Sequence, residues 1–153
     1  MSRRYWLMKS EPSVYSIDDL REDGATRWDS IRNYQARNNM QAMSKGDEVL
    51  FYHSQSSPPG VAGIARVVRE AYPDPTQFDP KHKYFDPKSD EDAPRWWLVD
   101  VEFVSAFDEV VPLARIKEEP ALADMVLVRN SRLSVQPVEP VEFRRVVAMA
   151  GQP

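Results

Sequence analysis

The segment from Arg95 to Phe103 has the strongest strand pattern in the chain, and it limits what the chain can fold into. Every second residue from Trp97 to Phe103 is apolar, which predicts a strand with one face in a core. Further strands are predicted from Tyr5 to Ser10, Asp47 to His53, Val61 to Ala71, Met125 to Arg129 and Ser131 to Val138. Because these strands do not alternate regularly with helices, a doubly wound parallel sheet is not expected.

Short helices are predicted around these strands. They run from the N-cap Ser16 through Asp23, from Asn33 to Met43, from Pro112 to Glu119 and from Pro140 to Ala150. The last helix has a predicted buried face made of Phe143, Val146, Val147 and Ala150. Together the elements predict an α+β fold, a small mixed β-barrel of five or six strands flanked by short helices. A length of 153 residues fits one domain, residues 1–153.

Composition excludes several classes of protein. No apolar run approaches the roughly 20 residues that a membrane span needs, so we expect no membrane partner and a cytoplasmic location. The absence of Cys removes disulfides, thiolate nucleophiles and Cys-based zinc sites. No Gly-rich phosphate loop or Gly-x-Ser-x-Gly elbow is present, and we predict neither a cofactor nor a metal. A net charge of −4 argues against coating duplex DNA by charge alone.

The segment from Trp28 to Asn39 has a composition typical of nucleic-acid recognition. It holds two aromatic residues, two Arg, three Asn and one Gln in twelve residues. Rings stack on bases, guanidinium groups neutralise phosphates, and amides bond base edges. The alternative is a polar surface loop with one anchoring Trp. Since the neighbours of Trp28 are polar, no apolar periodicity predicts a place for it in a core.

Two other functions stay open from the residues alone. An enzyme acting on a flipped base or a nucleotide would use Asp29 or Glu11 as general acid or base, with His53 assisting. For His53 itself, which ends a predicted strand, a capping or core role is favoured over a ligand contact. The third possibility is a small-molecule or protein-interaction domain that uses the same pocket.

Five stretches of the sequence, in order along nearly the whole chain, resemble the EVE domain family. They are Tyr5–Pro12, Trp28–Asn38, Lys45–Ser54, Gly63–Ala65 leading to Glu70–Pro75, and Ser131–Val138. The resemblance implies a PUA-like fold, similar to YTH domains, which bind RNA carrying 6-methyladenine in an aromatic cage. It also implies a non-catalytic module that takes a modified base of DNA or RNA into an aromatic pocket.

The resemblance assigns roles to individual residues. Lys9 and Ser10 lie beside the pocket, Trp28 forms one wall, Asp29 meets the base edge, and Arg132 contacts a phosphate. The second wall comes from the long loop over residues 72–94, where Phe78, Tyr84 and Phe85 are the candidates. The predicted nucleic-acid-binding residues are Lys9, Ser10, Glu11, Trp28, Asp29, Arg32, Asn33, Tyr34, Arg37, His53, Ser54, Tyr84, Phe85, Ser131 and Arg132.

Two acidic residues depart from the YTH pattern. YTH readers carry an amide after the Lys-Ser pair, where this chain has Glu11, and they often carry Ser where it has Asp29. An ionised carboxylate accepts hydrogen bonds but donates none, which suits the exocyclic amino group of cytosine. The sequence therefore favours a modified cytosine over methyladenine. The alternative is that either acid pairs with Arg27 or Arg32. Nothing in the sequence predicts an oligomeric state.

Overall fold

Six strands form one mixed sheet in the computed structural model, which describes residues 3–130 and 132–151. The strands are β1 (Tyr5–Ser10), β2 (Ala25–Arg27), β3 (Glu48–His53), β4 (Gly60–Pro73), β5 (Trp97–Pro112) and β6 (Val135–Val138). Their order across the sheet is β2-β5-β4-β3-β1-β6. β1 runs parallel to β3, and the other neighbours are antiparallel. The prediction of five or six strands of mixed direction is confirmed, with six strands present.

The sheet departs from the predicted barrel because it is not closed. β2 and β6 form its two edges, and no pairing within the described residues joins them. β5 lies next to the edge strand β2, and it runs nine residues beyond Phe103, where the predicted strand ended. Irregular register between β4 and β5 increases the local twist of these long strands. At Gly63 on β4, a Cβ would overlap the Ser105 carbonyl oxygen and the Ile17 side chain, so the close approach requires Gly.

Each face of the sheet carries its own core, because successive residues of a strand point to opposite faces. Along β1, Trp6 and Met8 belong to one core and Leu7 to the other. We call these the Trp6 core and the Leu7 core. The Trp6 core includes Phe51 of β3, and the Leu7 core includes Tyr52. The same alternation decides which side chains at the ends of β1 and β3 lie on the same face of the sheet.

Five α-helices pack around the sheet: α1 (Ile17–Asp23), α2 (Tyr34–Ala42), α3 (Leu113–Glu118), α4 (Val126–Arg129) and α5 (Pro140–Met149). Short 3-10 turns cover Pro75–Phe78 and Pro120–Leu122. Ser16 caps α1 in a reciprocal pair of bonds with Asp19, as predicted, and Gly24 ends it at φ +83°. No helix in the described part of the chain is long and apolar enough to cross a membrane.

Two elements differ from the sequence prediction. The segment from Met125 to Arg129 was expected to be extended because of its β-branched residues, but the backbone N–H groups of Val128 and Arg129 bond back to the Met125 carbonyl. It forms the helical turn α4, whose Leu127 is fully buried in the Leu7 core. The strand β2 was not predicted, since three residues are too few to show a period.

Two buried polar side chains order the long segment between β4 and β5. Asp74 accepts hydrogen bonds from the Ser30 N–H (2.7 Å), an Arg32 N–H (3.2 Å) and the Thr76 N–H (2.8 Å). The amide nitrogen of Gln77 donates to the carbonyls of Asp74 and Trp96, both at 2.7 Å. These bonds order the long loop, and Asp74 fastens it to the segment that follows Trp28.

Placing a charge in the Leu7 core should unfold the domain. Val146 of α5 is fully buried, whereas Val141 on the same helix is 59% exposed. We expect Val146→Asp to abolish the cooperative unfolding transition, because an unpaired buried charge is very costly. Val141→Asp is the matched control and should melt close to the parent. A folded Val146→Asp protein would contradict the docking of α5. Val147, also predicted to be buried, is only partly so and is less suited to the test.

Asp74 should make stability depend on pH in the acid range. Burial alone would raise the pKa of its carboxyl, but hydrogen bonds from Thr76, Ser30 and Arg32 outweigh burial and hold the pKa below its ordinary value of 3.8. The lower folded pKa adds stability above pH 3.8 that is lost as the pH falls through the folded pKa. Asp74→Asn should cost about 1.5–3 kcal/mol at pH 7, typical of hydrogen bonds to a charged group.

The measurement is urea unfolding from pH 7 down to about pH 3, with the exposed Asp108→Asn as control. The difference between the parent and Asp74→Asn should shrink at the acid end, while the control stays parallel to the parent. A difference that is constant with pH would show that the Asp74 charge contributes nothing to stability.

Candidate nucleic-acid interface

A pocket of about 640 Å³ opens where β1 and β3 end. The two strands are parallel neighbours, so their carboxyl ends lie side by side, and the Ser54 N–H donates to the Ser10 carbonyl at 2.9 Å. Four predicted site residues line this pocket: Lys9, Glu11, Ser54 and Arg132. Sequence reasoning missed Tyr52 and Ser134, which also line it. Residue alternation could have found both, since each lies two positions from a predicted lining residue.

The lining of this pocket combines cations, hydroxyl groups and a ring. The Lys9 ammonium lies 5.2 Å from the centre of the Tyr52 ring. Burial lowers the pKa of Lys9 and raises the pKa of the Tyr52 phenol. Arg132 is exposed, and so is Glu11, the carboxylate of the lining. The arrangement can bind an anionic group while presenting one carboxylate, a strong hydrogen-bond acceptor.

The structure separates Lys9 from Ser10, which the resemblance placed together beside the pocket. Their side chains follow the strand alternation, so Lys9 shares the side of Tyr52 and Ser10 shares the side of Met8. The Ser10 hydroxyl donates to the Tyr15 carbonyl at 2.6 Å. Ser10 therefore holds the segment before α1 in place and does not line the pocket.

Trp28 is a core residue, contrary to the prediction from its polar neighbours. Its side chain is 6% exposed, and its ring meets the Phe51 ring edge-on at 5.4 Å. The Trp28 N–H donates to the Val99 carbonyl at 2.8 Å. It directly follows the edge strand β2, whose antiparallel pairing with β5 turns the indole into the Trp6 core. No periodicity over so short a strand could have indicated this.

Asp29 carries an ion pair, which is the alternative that the sequence left open. Its carboxylate lies 3.2 Å from the Arg27 Nε, and the Ser30 hydroxyl donates to it at 3.3 Å. The next residue, Ser30, adopts φ 67°, a conformation that costs energy outside Gly. The bond from the Ser30 N–H to buried Asp74 stabilises that turn.

Arg32 serves the fold rather than a phosphate, which corrects its predicted role. A guanidinium carries five N–H groups. Those of Arg32 donate to Ile31, Asp74 and Thr76 and twice to the Tyr84 carbonyl. All five are therefore used within the chain, and a phosphate could be bound only by breaking one of these bonds.

Other predicted residues lie on α2 and on the long loop, and none of them lines the pocket. Asn33 caps α2 by accepting from the Ala36 N–H at 2.9 Å. Tyr34 is 52% exposed, and Tyr84 and Phe85 are each 37% exposed. Arg37 lies over the Tyr34 ring at 4.8 Å. Ser131, the remaining predicted contact, lies outside the described residues.

His53 has the structural role that its position predicted. Its Nε2 accepts a hydrogen bond from the Ile17 N–H at 3.1 Å, which fixes the start of α1. Burial lowers the pKa of the imidazole, and the charge of Asp18 opposes this. Because the Nε2 lone pair is already used, His53 is not placed to assist Asp29 or Glu11 in the way that the alternative enzyme requires. In the described chain, no hydrogen bond or ion pair links it to Asp29 or Glu11.

Known proteins share this architecture. Human thymocyte nuclear protein 1 is 43% identical to this chain over an alignment of 164 residues, counted with gaps. The alignment covers 95% of this chain and 73% of that protein. The crystal structure of human THYN1 in complex with 5-methylcytosine-containing DNA has a TM-score of 0.91 and 42% identity, covering 98% of this chain and 99% of that one. The YTH domain of Zygosaccharomyces rouxii MRB1, solved with N6-methyladenosine RNA, has a TM-score of 0.54 and 16% identity, covering 97% and 86%.

The likeness to the YTH domain shows a shared fold. The likenesses to human thymocyte nuclear protein 1 and to the THYN1 structure extend over nearly all of this chain. The PUA-like, YTH-like architecture expected from the sequence is therefore confirmed. The EVE domain model matches residues 4–149. On this evidence the chain belongs to the EVE domain family.

Proposed function

We propose that this chain is a non-catalytic module that binds nucleic acid carrying a modified base, with a modified cytosine favoured. The observation that carries the proposal is the likeness to human THYN1, a protein solved with 5-methylcytosine-containing DNA, at a TM-score of 0.91 over 98% of this chain. Conservation of the fold at 42% identity supports a shared type of ligand. The pocket at the ends of β1 and β3 is the site that we assign to it.

The pocket suits one extruded nucleotide. Its volume of about 640 Å³ lies within the range of small-ligand sites. Lys9 and Arg132 supply positive charge for flanking phosphates, and the hydroxyl groups of Ser54 and Ser134 add hydrogen-bonding capacity. Such a pocket lets a chain of net charge −4 bind a polyanion, because only a few phosphates need to be neutralised.

Glu11 is the acid that we assign to the base edge. Asp29 is paired with Arg27, whereas Glu11 is exposed on the pocket lining. A carboxylate there can accept a hydrogen bond from the exocyclic amino group of cytosine, which carries two donors. This is the physical support for cytosine, and it is independent of the THYN1 complex.

Trp28 remains in the proposal as a stacking wall for the base. The indole packs in the Trp6 core, on the side of the sheet opposite to Lys9 and Tyr52 of the pocket lining. The row of rings from Trp28 through Phe51 to His53 leads from this core to the end of β3, beside the pocket. We propose that a deeply inserted base reaches the indole around the ends of the strands.

We propose that residues 1–153 form one EVE domain, since the family model spans nearly all of them. The polymer is proposed to be DNA, as in the THYN1 complex, and RNA is the second arm of the binding test. The cytoplasmic location stays a prediction, and the related proteins carry the word nuclear in their name.

The test is a binding screen of short single-stranded oligonucleotides at fixed salt. They carry cytosine, 5-methylcytosine, adenine or N6-methyladenine, in DNA and in RNA. We expect the tightest binding for 5-methylcytosine. Equal affinity for all four bases would overturn the proposal of a modified-base site, and a preference for N6-methyladenine would overturn the cytosine assignment.

Arg132→Ala should weaken binding to every oligonucleotide by a similar factor. A phosphate contact carries no sequence information, and each one contributes about −0.7 to the salt slope of a single strand. We therefore expect the slope to become shallower by about 0.7. Arg144→Ala, which removes an exposed arginine of α5, is the control. A loss that depends on the base would place Arg132 on a base edge instead.

Trp28 should affect both folding and binding. Because the indole is buried, Trp28→Ala should lower the free energy of unfolding by about 3–5 kcal/mol. This loss is larger than expected for a Trp outside the core, which is where its polar neighbours placed it. Trp28→Phe should melt closer to the parent and bind the 5-methylcytosine oligonucleotide severalfold more weakly, since a smaller ring keeps part of the stacking face. Melting temperature and affinity are measured together. A folded Trp28→Phe protein with parental affinity would assign the indole to the core alone.

A further inference from the structure

A row of five flat groups runs between α2 and the long loop. Each lies against the next: the Tyr84 ring, the Arg32 guanidinium, the Trp96 ring, the Tyr34 ring and the Arg37 guanidinium. The two Arg32 distances, to Tyr84 and to Trp96, are 5.6 and 5.4 Å. Trp96 and Tyr34 stack at 4.9 Å with 26° between their planes, and Arg37 lies 4.8 Å from the Tyr34 centre.

The middle of this row is rigid. Trp96 is 7% exposed, and its Nε1 donates to an Asp86 carboxylate oxygen at 2.7 Å. Its backbone N–H and carbonyl both bond to the side chain of Gln77. All five N–H groups of Arg32 are also hydrogen-bonded within the chain. Little conformational entropy is therefore lost when a further flat group stacks on the row.

The end of the row on α2 is open to solvent. Tyr34 is 52% exposed, although it stacks on a buried Trp. Arg37, one turn further along α2, donates to the Arg95 carbonyl and through two N–H groups to the Asn38 side chain. Two of its five N–H groups are not used within the described residues. Because Tyr34 lies between Trp96 and Arg37, this end offers the outer face of the Arg37 guanidinium, with two unused N–H groups, beside the exposed edge of the Tyr34 ring.

We propose that Tyr34 and Arg37 form a second nucleic-acid contact, for a nucleotide that flanks the one in the pocket. The flanking base stacks on the outer face of the Arg37 guanidinium, which lies over the Tyr34 ring, and the remaining Arg37 donors bind its phosphate. Such stacking tolerates any base, so this contact adds affinity without choosing a sequence. The inference rests on the proposed function for the polymer, but it concerns a different surface.

Single-stranded nucleic acid fits this surface better than a protein partner does. The row combines aromatic rings with two guanidinium groups. Single-stranded nucleic acid stacks its bases on such flat groups and places its phosphates beside the cations. A protein contact of ordinary size would need a larger apolar area than one exposed Tyr at a helix start. The strand must be unpaired here, because a base within a duplex has no free face.

The experiment compares a short ligand with a longer one. The short ligand is the single nucleotide 5-methyl-dCMP, which has no flanking base. The longer ligand is an oligonucleotide of about nine residues with central 5-methylcytosine and 2-aminopurine at one flanking position. Parent, Tyr34→Ala, Tyr34→Phe, Arg37→Ala and the control Val141→Ala are titrated at fixed salt, with melting temperatures measured alongside. Tyr34 and Val141 are exposed, whereas Arg37 is half-buried, and the melting temperatures verify that each variant is folded. DNA and RNA versions form parallel arms.

We expect Tyr34→Ala to bind the longer oligonucleotide about tenfold more weakly, the lower end of the range for one stacked base. It should bind the single nucleotide like the parent, because that ligand has no flanking base. Quenching of 2-aminopurine in one of the flanking positions should disappear in Tyr34→Ala and remain in Tyr34→Phe. Arg37→Ala should weaken the longer ligand and make its salt slope shallower.

Three outcomes would overturn the inference. Parental affinity of Tyr34→Ala for the longer ligand would assign the surface to another partner, such as a protein, or to packing alone. Equal weakening for both ligands would place Tyr34 in the base pocket itself. If the parent binds neither ligand, the proposed function fails together with this contact, whereas in the first two outcomes the proposed function stands.

Discussion

The parallel pairing of β1 with β3 is the constraint on which the rest of the structure depends. It brings the carboxyl ends of two strands that are far apart in sequence to one place, with Ser10 in register with His53. The pocket exists because both strands stop there and the chain leaves in two directions. The pairing also sets the alternation that distributes side chains between the Trp6 core and the Leu7 core. A slip by one residue would exchange the two sets and place Lys9 in a core.

Long periodic elements could be predicted from the sequence, and short ones could not. The alternation in β3 and β5, the Ser16 cap of α1 and the helix after Pro140 are local patterns, and the structure confirms them. The strand β2 and the turn α4 each cover three or four residues, so long-range contacts decide their conformation. Local sequence patterns also do not predict whether the sheet closes into a barrel, because closure depends on whether the two edge strands meet.

The candidate site shows a similar division, seen most clearly in its arginines. Arg32 and Arg37 are five residues apart in one polar segment, and the sequence gives both the same expected contact with phosphate. The structure separates them because Asp74 and Tyr84, more than forty residues away, take the donors of Arg32. Arg37 finds only a neighbouring Asn and one carbonyl and keeps two donors. Which arginine is available thus depends on long-range partners that residue type and spacing do not reveal.

The long loop links the core to the surface. Asp74 at its start holds the turn that follows buried Trp28, and Trp96 at its end supports exposed Tyr34. Gln77 bonds to the backbone at both places, so the two ends of the loop cannot move independently without breaking buried hydrogen bonds. Breaking such bonds costs the full desolvation of each buried group. The turn after Trp28 and the support of Tyr34 therefore belong to one buried polar network, which includes the ion pair between Asp74 and Arg32.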